Sequence, residues 1–250
     1  MARCLSWGLR PNADDDGHRG EFTTADVISD VRDKTHPKKL VQGKDTVKWW
    51  PVRIRYLEWG TERAPSQFAR PTFPELYTVP QKLLAMKVSG RLPRVVFDEM
   101  QLICTDAFCC CVLWHELHGV RNRSIKKTAK YRNELSSSAA IPAVTRDELE
   151  TISKQFSMKY LLGIMNSEVA AQWLEGRRRN KIQLYPEDWK NLPIPLAGKD
   201  DQRAVEKLVE GILDLFRQNQ YPLSASANKQ MESLEKKLDQ TVDRLYQGRG

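Results

Sequence analysis

Apolar positions along the chain fall into two regimes. Between residues 40 and 118 they come in short bursts divided by turn residues: "KLLAMKVSG", "RVVFDEM" and "FCCCVLW". Bursts of this length, separated by turn signals, predict strands. Val52, Ile54 and Tyr56 (with Leu57) alternate with Arg53 and Arg55, which predicts another strand with one buried face and one cationic face. Pro65, Pro71, Pro74 and Pro80 turn residues 60–81 into a loop with room for one helical turn at "PELY". Residues 1–30 are polar and loop-like.

Beyond residue 144 the period changes to that of helices. Thr145 and Glu148 have the spacing of a capping box. Phe156, Tyr160, Leu161, Ile164, Met165, Val169, Trp173 and Leu174 follow at near 3.6 spacing, with Asn166-Ser167 as a candidate break into two helices. "GRRRNKIQLYP" ends the helix and begins a short strand, and "EDWKNLPIPLAG" is a proline-punctuated exit. Asp200 or Asp201 is the expected cap of a helix carrying Val205, Leu208, Val209, Ile212, Leu213 and Phe216. A last helix carries Met231, Leu234, Leu238, Val242 and Leu245 in a heptad-like seam. The short linker between these two helices predicts an antiparallel pair. The fold class expected is α/β (α+β). A polar segment spans residues 1–37, a mainly β domain with flanking helices residues 38–196, and a helical hairpin residues 197–250.

Composition agrees with a folded protein: 250 residues, 40% hydrophobic and 29% charged. No apolar run is long enough to span a bilayer and no signal peptide is visible, so a cytoplasmic location is expected. Of five cysteines, Cys109, Cys110 and Cys111 are consecutive, a poor disulfide framework that fits a reducing compartment. Cys109, Cys111, His115 and His118 lie close enough to raise zinc. Yet there is no CxxC pair, "WHELH" lacks the HExxH spacing, and a buried β-strand accounts for "CCCVLW" better. No metal site is expected.

Catalytic signatures are missing. There is no Walker or dinucleotide phosphate loop, no GxSxG elbow, and no Asn/Asp-Pro-Pro-Tyr/Phe tetrapeptide of adenine methyltransferases. "VVFDEM" offers Asp98 and Glu99 as Mg²⁺ ligands of a nuclease, but no lysine follows two residues on. A strand end with two solvated acids is the simpler expectation. No catalytic centre and no resident cofactor are expected in this chain.

What the sequence does offer is clustered positive charge within a net charge of +8. "GVRNRSIKKTAKYR", residues 119–132, holds six cations and no acid. Arg121, Asn122 and Arg123 are candidates for base edges, which need fork or amide donors. Lys126, Lys127, Lys130 and Arg132 are candidates for phosphates, which need cations. Further candidates are Lys44, Lys48, Arg53, Arg55, Arg177, Arg178, Arg179 and Lys181. Trp49 and Trp50 fit core packing better than base stacking.

Longer stretches carry a family resemblance. "KYLLGIMNSEVAAQWLEGRRRNKIQLYPEDWKNLPIP", followed by a helix with an early Gln202, resembles the C-terminal target-recognition region of Taq-type adenine-specific DNA methyltransferases and type IIG restriction–modification enzymes. It is similar in layout to type I specificity subunits. "KKLVQGKDTVKWW", "RPTFPELYTVPQKLLAMKVSG" and "LDQTVDRLYQ" resemble further elements of the same proteins, in the same order, over residues 38–247. The resemblance implies a double-stranded DNA specificity module working with a methyltransferase or endonuclease domain or subunit. S-adenosylmethionine and Mg²⁺ are implied only for that catalytic partner. The competing expectations are a Mg²⁺-dependent nuclease at Asp98 and Glu99, and a helical docking protein whose basic face is incidental.

Overall fold

The computed structural model describes residues 24–61, 64, 75–88, 90, 93–105, 107–121, 144–176 and 183–248. Strands are β1 (Ile28–Ser29), β2 (Lys38–Val41), β3 (Arg55–Leu57), β4 (Lys82–Met86), β5 (Val95–Asp98), β6 (Ile103–Cys104) and β7 (Phe108–Cys111). Helices are α1 (Glu75–Thr78), α2 (Arg146–Ser153), α3 (Met158–Met165), α4 (Glu168–Glu175), α5 (Pro186–Lys190), α6 (Lys199–Gln218) and α7 (Ala225–Gln247).

The strands form two sheets. One is four-stranded, β1-β3-β2-β6, with β2 and β6 parallel and the other pairs antiparallel. The other is three-stranded and antiparallel, β5-β4-β7. The three-stranded sheet is the middle layer, and period-2 alternation explains why all its strands are wholly buried. Leu83, Ala85, Val95, Phe97, Cys109 and Cys111 face the helices. Leu84, Met86, Val96, Phe108 and Cys110 face the four-stranded sheet. The cysteine run thus serves two cores: Cys110 Sγ lies 3.4 Å from Cys104 Sγ across the sheet interface, while its neighbours pack under helices.

The helical layer is built on α3. Gly163 is where α6 comes closest: a Cβ there would stand 2.6 Å from Val205 Cγ1 and 3.1 Å from Val209 Cγ2. Leu238 touches the same glycine, whereas Leu234 lies against Gly211, beyond both valines along α6. Contacts that advance on α6 retreat on α7, so the pair is antiparallel, as expected. Both helices contribute to the core shared with α3, α4 and the middle sheet.

Some expectations change. The strand expected from Val52 onward begins only at Arg55, because the amides of Val52 and Arg53 donate to the Asp45 carbonyl at 2.9 and 3.2 Å and cannot join a ladder. Residues 183–185 form no strand; Leu184 N–H makes one bond, 2.7 Å long, to the Lys87 carbonyl. The proline-rich exit contains helix α5, started by Pro186. Gly198, not an aspartate, is the N-cap of α6; Asp200 and Asp201 sit in its first turn, where the helix dipole favours them.

Candidate nucleic-acid interface

Gly43–Asp45 forms a 3-10 turn whose glycine is forced by its neighbours. A Cβ on Gly43 would stand 3.2 Å from Met86 Cε and 3.3 Å from Ala107 Cβ. Thr46 Oγ1 donates to the Gly43 carbonyl at 2.9 Å. Asp45 is buried and accepts from Arg55 Nε at 3.1 Å. Between them Lys44 is exposed, with no ion-pair partner among the described residues.

The other cations of this stretch are engaged. Arg53 pairs with Asp30 at 2.6 Å, and Arg55 reaches the same carboxylate at 3.7 Å. Lys48 pairs with Glu235 of α7 at 2.8 Å and lies 5.0 Å from the Trp49 ring centroid. Trp49 Nε1 donates to the same Glu235 oxygen at 2.7 Å. Trp49 is buried, and Trp50 stacks on Phe216 at 6.3 Å, so both tryptophans pack as expected.

Arg121 is exposed at the start of the basic segment. Asn122, Arg123, Lys126, Lys127, Lys130 and Arg132 lie outside the described residues, as do Arg177, Arg178, Arg179 and Lys181. The segment's two stems are joined by one side chain that no sequence motif singles out. Arg146, the first residue of α2, donates through Nη1 to the Val120 carbonyl at 2.6 Å and through Nη2 to the Leu117 carbonyl. Its Nε donates to Glu150 at 2.7 Å, and the other Glu150 oxygen meets His118 Nδ1 at 2.6 Å. The His118 and Arg146 bonds outweigh burial and hold the Glu150 carboxyl below its ordinary range. His115 joins the same stem through Ser153 Oγ, 2.9 Å from its Nδ1.

Of the two acids at the end of β5, Asp98 differs from expectation and Glu99 is exposed. Asp98 is not solvated: it and Lys82 are fully enclosed, 2.5 Å apart, and its oxygens also accept from the amides of Met100 (2.7 Å) and Leu102 (2.9 Å). Every approach a Mg²⁺ ion would need to Asp98 is filled by protein. Glu99 is bound to Arg217 of α6 at 2.9 Å. The zinc candidates are likewise divided: Cys109 and Cys111 face the helical core, while His115 and His118 bond to Ser153 and Glu150. Among the described residues no group of three or more His, Cys, Asp or Glu side chains is placed to hold a metal ion.

The residues that carry the family resemblance are the joints of the helical layer. Tyr160 Oη donates to the Pro195 carbonyl at 2.8 Å. Asn166 spans to β5 with both ends of its amide, Nδ2 to the Val95 carbonyl at 2.8 Å and Oδ1 from the Val95 amide at 2.9 Å. Ser167 caps α4. Gln202 Nε2 donates to the carbonyls of Gln155 and Ala197, both at 3.0 Å. Tyr246 Oη donates to the Pro193 carbonyl at 2.5 Å. The bonds of Tyr160, Asn166 and Tyr246, and that of Gln202 to Gln155, join segments distant in sequence, whereas the Ser167 cap and the Gln202–Ala197 bond are local.

No protein family and no curated protein matches the chain. Among solved structures it is similar to a type IIL restriction–modification enzyme, MmeI, in complex with DNA. The TM-score is 0.49 at 11% identity, over 85% of this chain. The chain spans 28% of the length of that enzyme. Among the described residues no helix is long and apolar enough to cross a membrane.

Proposed function

We propose that this chain recognises double-stranded DNA in a sequence-specific manner, as the specificity module of a restriction–modification system. The methyltransferase or endonuclease chemistry, with its S-adenosylmethionine and Mg²⁺, belongs in this reading to an attached or partner domain. The observation that carries it is the ordered set of elements over residues 38–247 that resembles target-recognition regions. Their residues interlock: Asn166, Gln202 and Tyr246 each bond across the fold. The words of the motif therefore belong to one structure. The acid-free segment 119–132, rooted on Arg146, supplies a concentration of phosphate and base-edge donors.

Selection from a randomised duplex pool, at low and near-physiological salt, tests this. An enriched motif that survives the higher salt is the expected result. Binding that disappears with salt and enriches nothing would leave only phosphate affinity and overturn the proposal. Within it, Arg121→Ala should relax discrimination at one base position, by about 1–3 kcal/mol if the arginine reads a guanine. Lys126→Ala with Lys127→Ala should weaken all duplexes alike.

A further inference from the structure

Three cationic residues lie on backbone segments that converge on one buried methionine. Met86, the last residue of β4, touches the Gly43–Asp45 turn through its methyl group. Its sulfur lies 3.6 Å from Thr46 Oγ1 and 3.4 Å from Arg94 Nη1. Arg94 Nη1 also donates to the Thr46 carbonyl at 3.3 Å, and the Arg94 carbonyl accepts from the Met86 amide at 2.9 Å. Lys87 is next in the chain, its amide bonded to the Ala107 carbonyl at 2.8 Å. Ala107 is the residue that presses on Gly43 from the other side. Lys44 on the turn, Lys87 past the end of β4 and Arg94 at the start of β5 therefore share one rim of the two sheets.

Their electrostatic setting is unlike that of their neighbours. Lys48, Arg53, Arg55 and Arg217 each lie within ion-pair distance of a carboxylate. Lys44, Lys87 and Arg94 have no carboxylate partner among the described residues; Lys44 is exposed and the other two are partly so. Arg94 is also pre-positioned, since one guanidinium nitrogen is held by a carbonyl and a sulfur while the rest keep their donors. Three cations on short, pinned connections, with no carboxylate partner among the described residues, suit a ligand of closely spaced negative charges. Duplex DNA presents one every ~1.7 Å of helix axis.

We infer that Lys44, Lys87 and Arg94 form a phosphate-contact site that fixes the register of the duplex backbone on this rim; the inference rests on the DNA-recognition reading above. A site of this kind positions the duplex without reading bases.

The test uses the full chain and the duplex enriched by selection. Lys44→Gln with Lys87→Gln removes side chains that make no hydrogen bond within the described fold, so thermal stability should be unchanged. The slope of log affinity against log salt should become shallower by about 1.8, from about 0.9 per phosphate contact, with the preference for the selected motif unaltered. Arg94→Gln should flatten the slope by a further contact, whereas Arg94→Lys should retain it. Lys236→Gln, on the solvent side of α7, serves as the control and should leave the slope in place. A double variant that binds with the parent's slope overturns the site while the enriched motif leaves DNA recognition standing. A parent chain that binds no duplex at either salt overturns both.

Discussion

One carboxamide, that of Asn166, closes the helical layer onto the middle sheet by satisfying both backbone groups of Val95. Asn166→Ala leaves the buried Val95 amide unpaired, at about 1–3 kcal/mol, while the Val95 carbonyl keeps the Trp49 amide as a donor at 3.1 Å. The urea midpoint should fall with little change in its dependence on denaturant. The enclosed pair Lys82–Asp98 obeys a different rule. Asp98→Ala strands an ammonium in the core and should cost about 3–5 kcal/mol, whereas Lys82→Met with Asp98→Leu removes both charges and should cost less, its remaining loss coming from the Met100 and Leu102 amides left without their acceptor. Equal losses in the single and double variants would contradict that. Glu150 gives a pH signature. Its carboxyl is held below the ordinary 4.5, so the stability it supplies is complete above that value and is lost as pH falls through and below it. Glu150→Gln should lower the melting temperature at neutral pH and converge with the parent in acid. Asp239 has the opposite sign. Burial, aided by Glu235 and Glu168, raises it above 3.8 despite the Glu168 amide and Lys48. Its ionised form therefore weakens the fold at neutral pH, and Asp239→Asn should raise the melting temperature there while keeping an acceptor for the Glu168 amide.

At the scale of elements, helix α2 begins on a capping box formed by Thr145 and Glu148. Thr145→Ala should cost about 1 kcal/mol in thermal or urea unfolding. That start was legible because capping is a local matter, and the same holds for the break at Asn166-Ser167 and the turn at Glu75–Thr78. Strands β4, β5 and β7 were legible because apolar bursts buried on both faces stand out from their flanks. Strand β6 was not: it is two residues long and exists through its parallel pairing with β2, 60-odd positions earlier in the chain. Alternation misled at Val52, where the Asp45 carbonyl captured the amides of Val52 and Arg53. The cationic candidates were legible as composition only. Whether a lysine is neutralised depends on acids remote in sequence, as Glu235 is from Lys48 and Asp30 from Arg53. Lys87 and Arg94, isolated in sequence, gave no signal at all.

For the molecule as a whole, the C-terminal hairpin is a wall of the core. Val205, Val209, Ile212, Leu213, Phe216, Leu238 and Val242 are all buried there. Baring the surfaces they cover, at about 1.5–3 kcal/mol for each side chain's burial, approaches or exceeds the ~5–15 kcal/mol by which domains are stable. A chain ending at Leu196 should bind a hydrophobic dye and lose its near-ultraviolet circular dichroism. Docking and DNA contact are better separated by surface substitutions than by truncation.

The consecutive cysteines of β7 turn this layering into something a mass spectrometer can time. An alkylating reagent reaches Cys109 or Cys111 only after the helices lift, and Cys110 only after the two sheets part. Fragment-resolved labelling under native conditions would therefore place a separate clock on each side of one strand. Cys109 and Cys111 should be labelled in step. The rate at Cys110, set against theirs, reports whether the layers come apart one at a time or together.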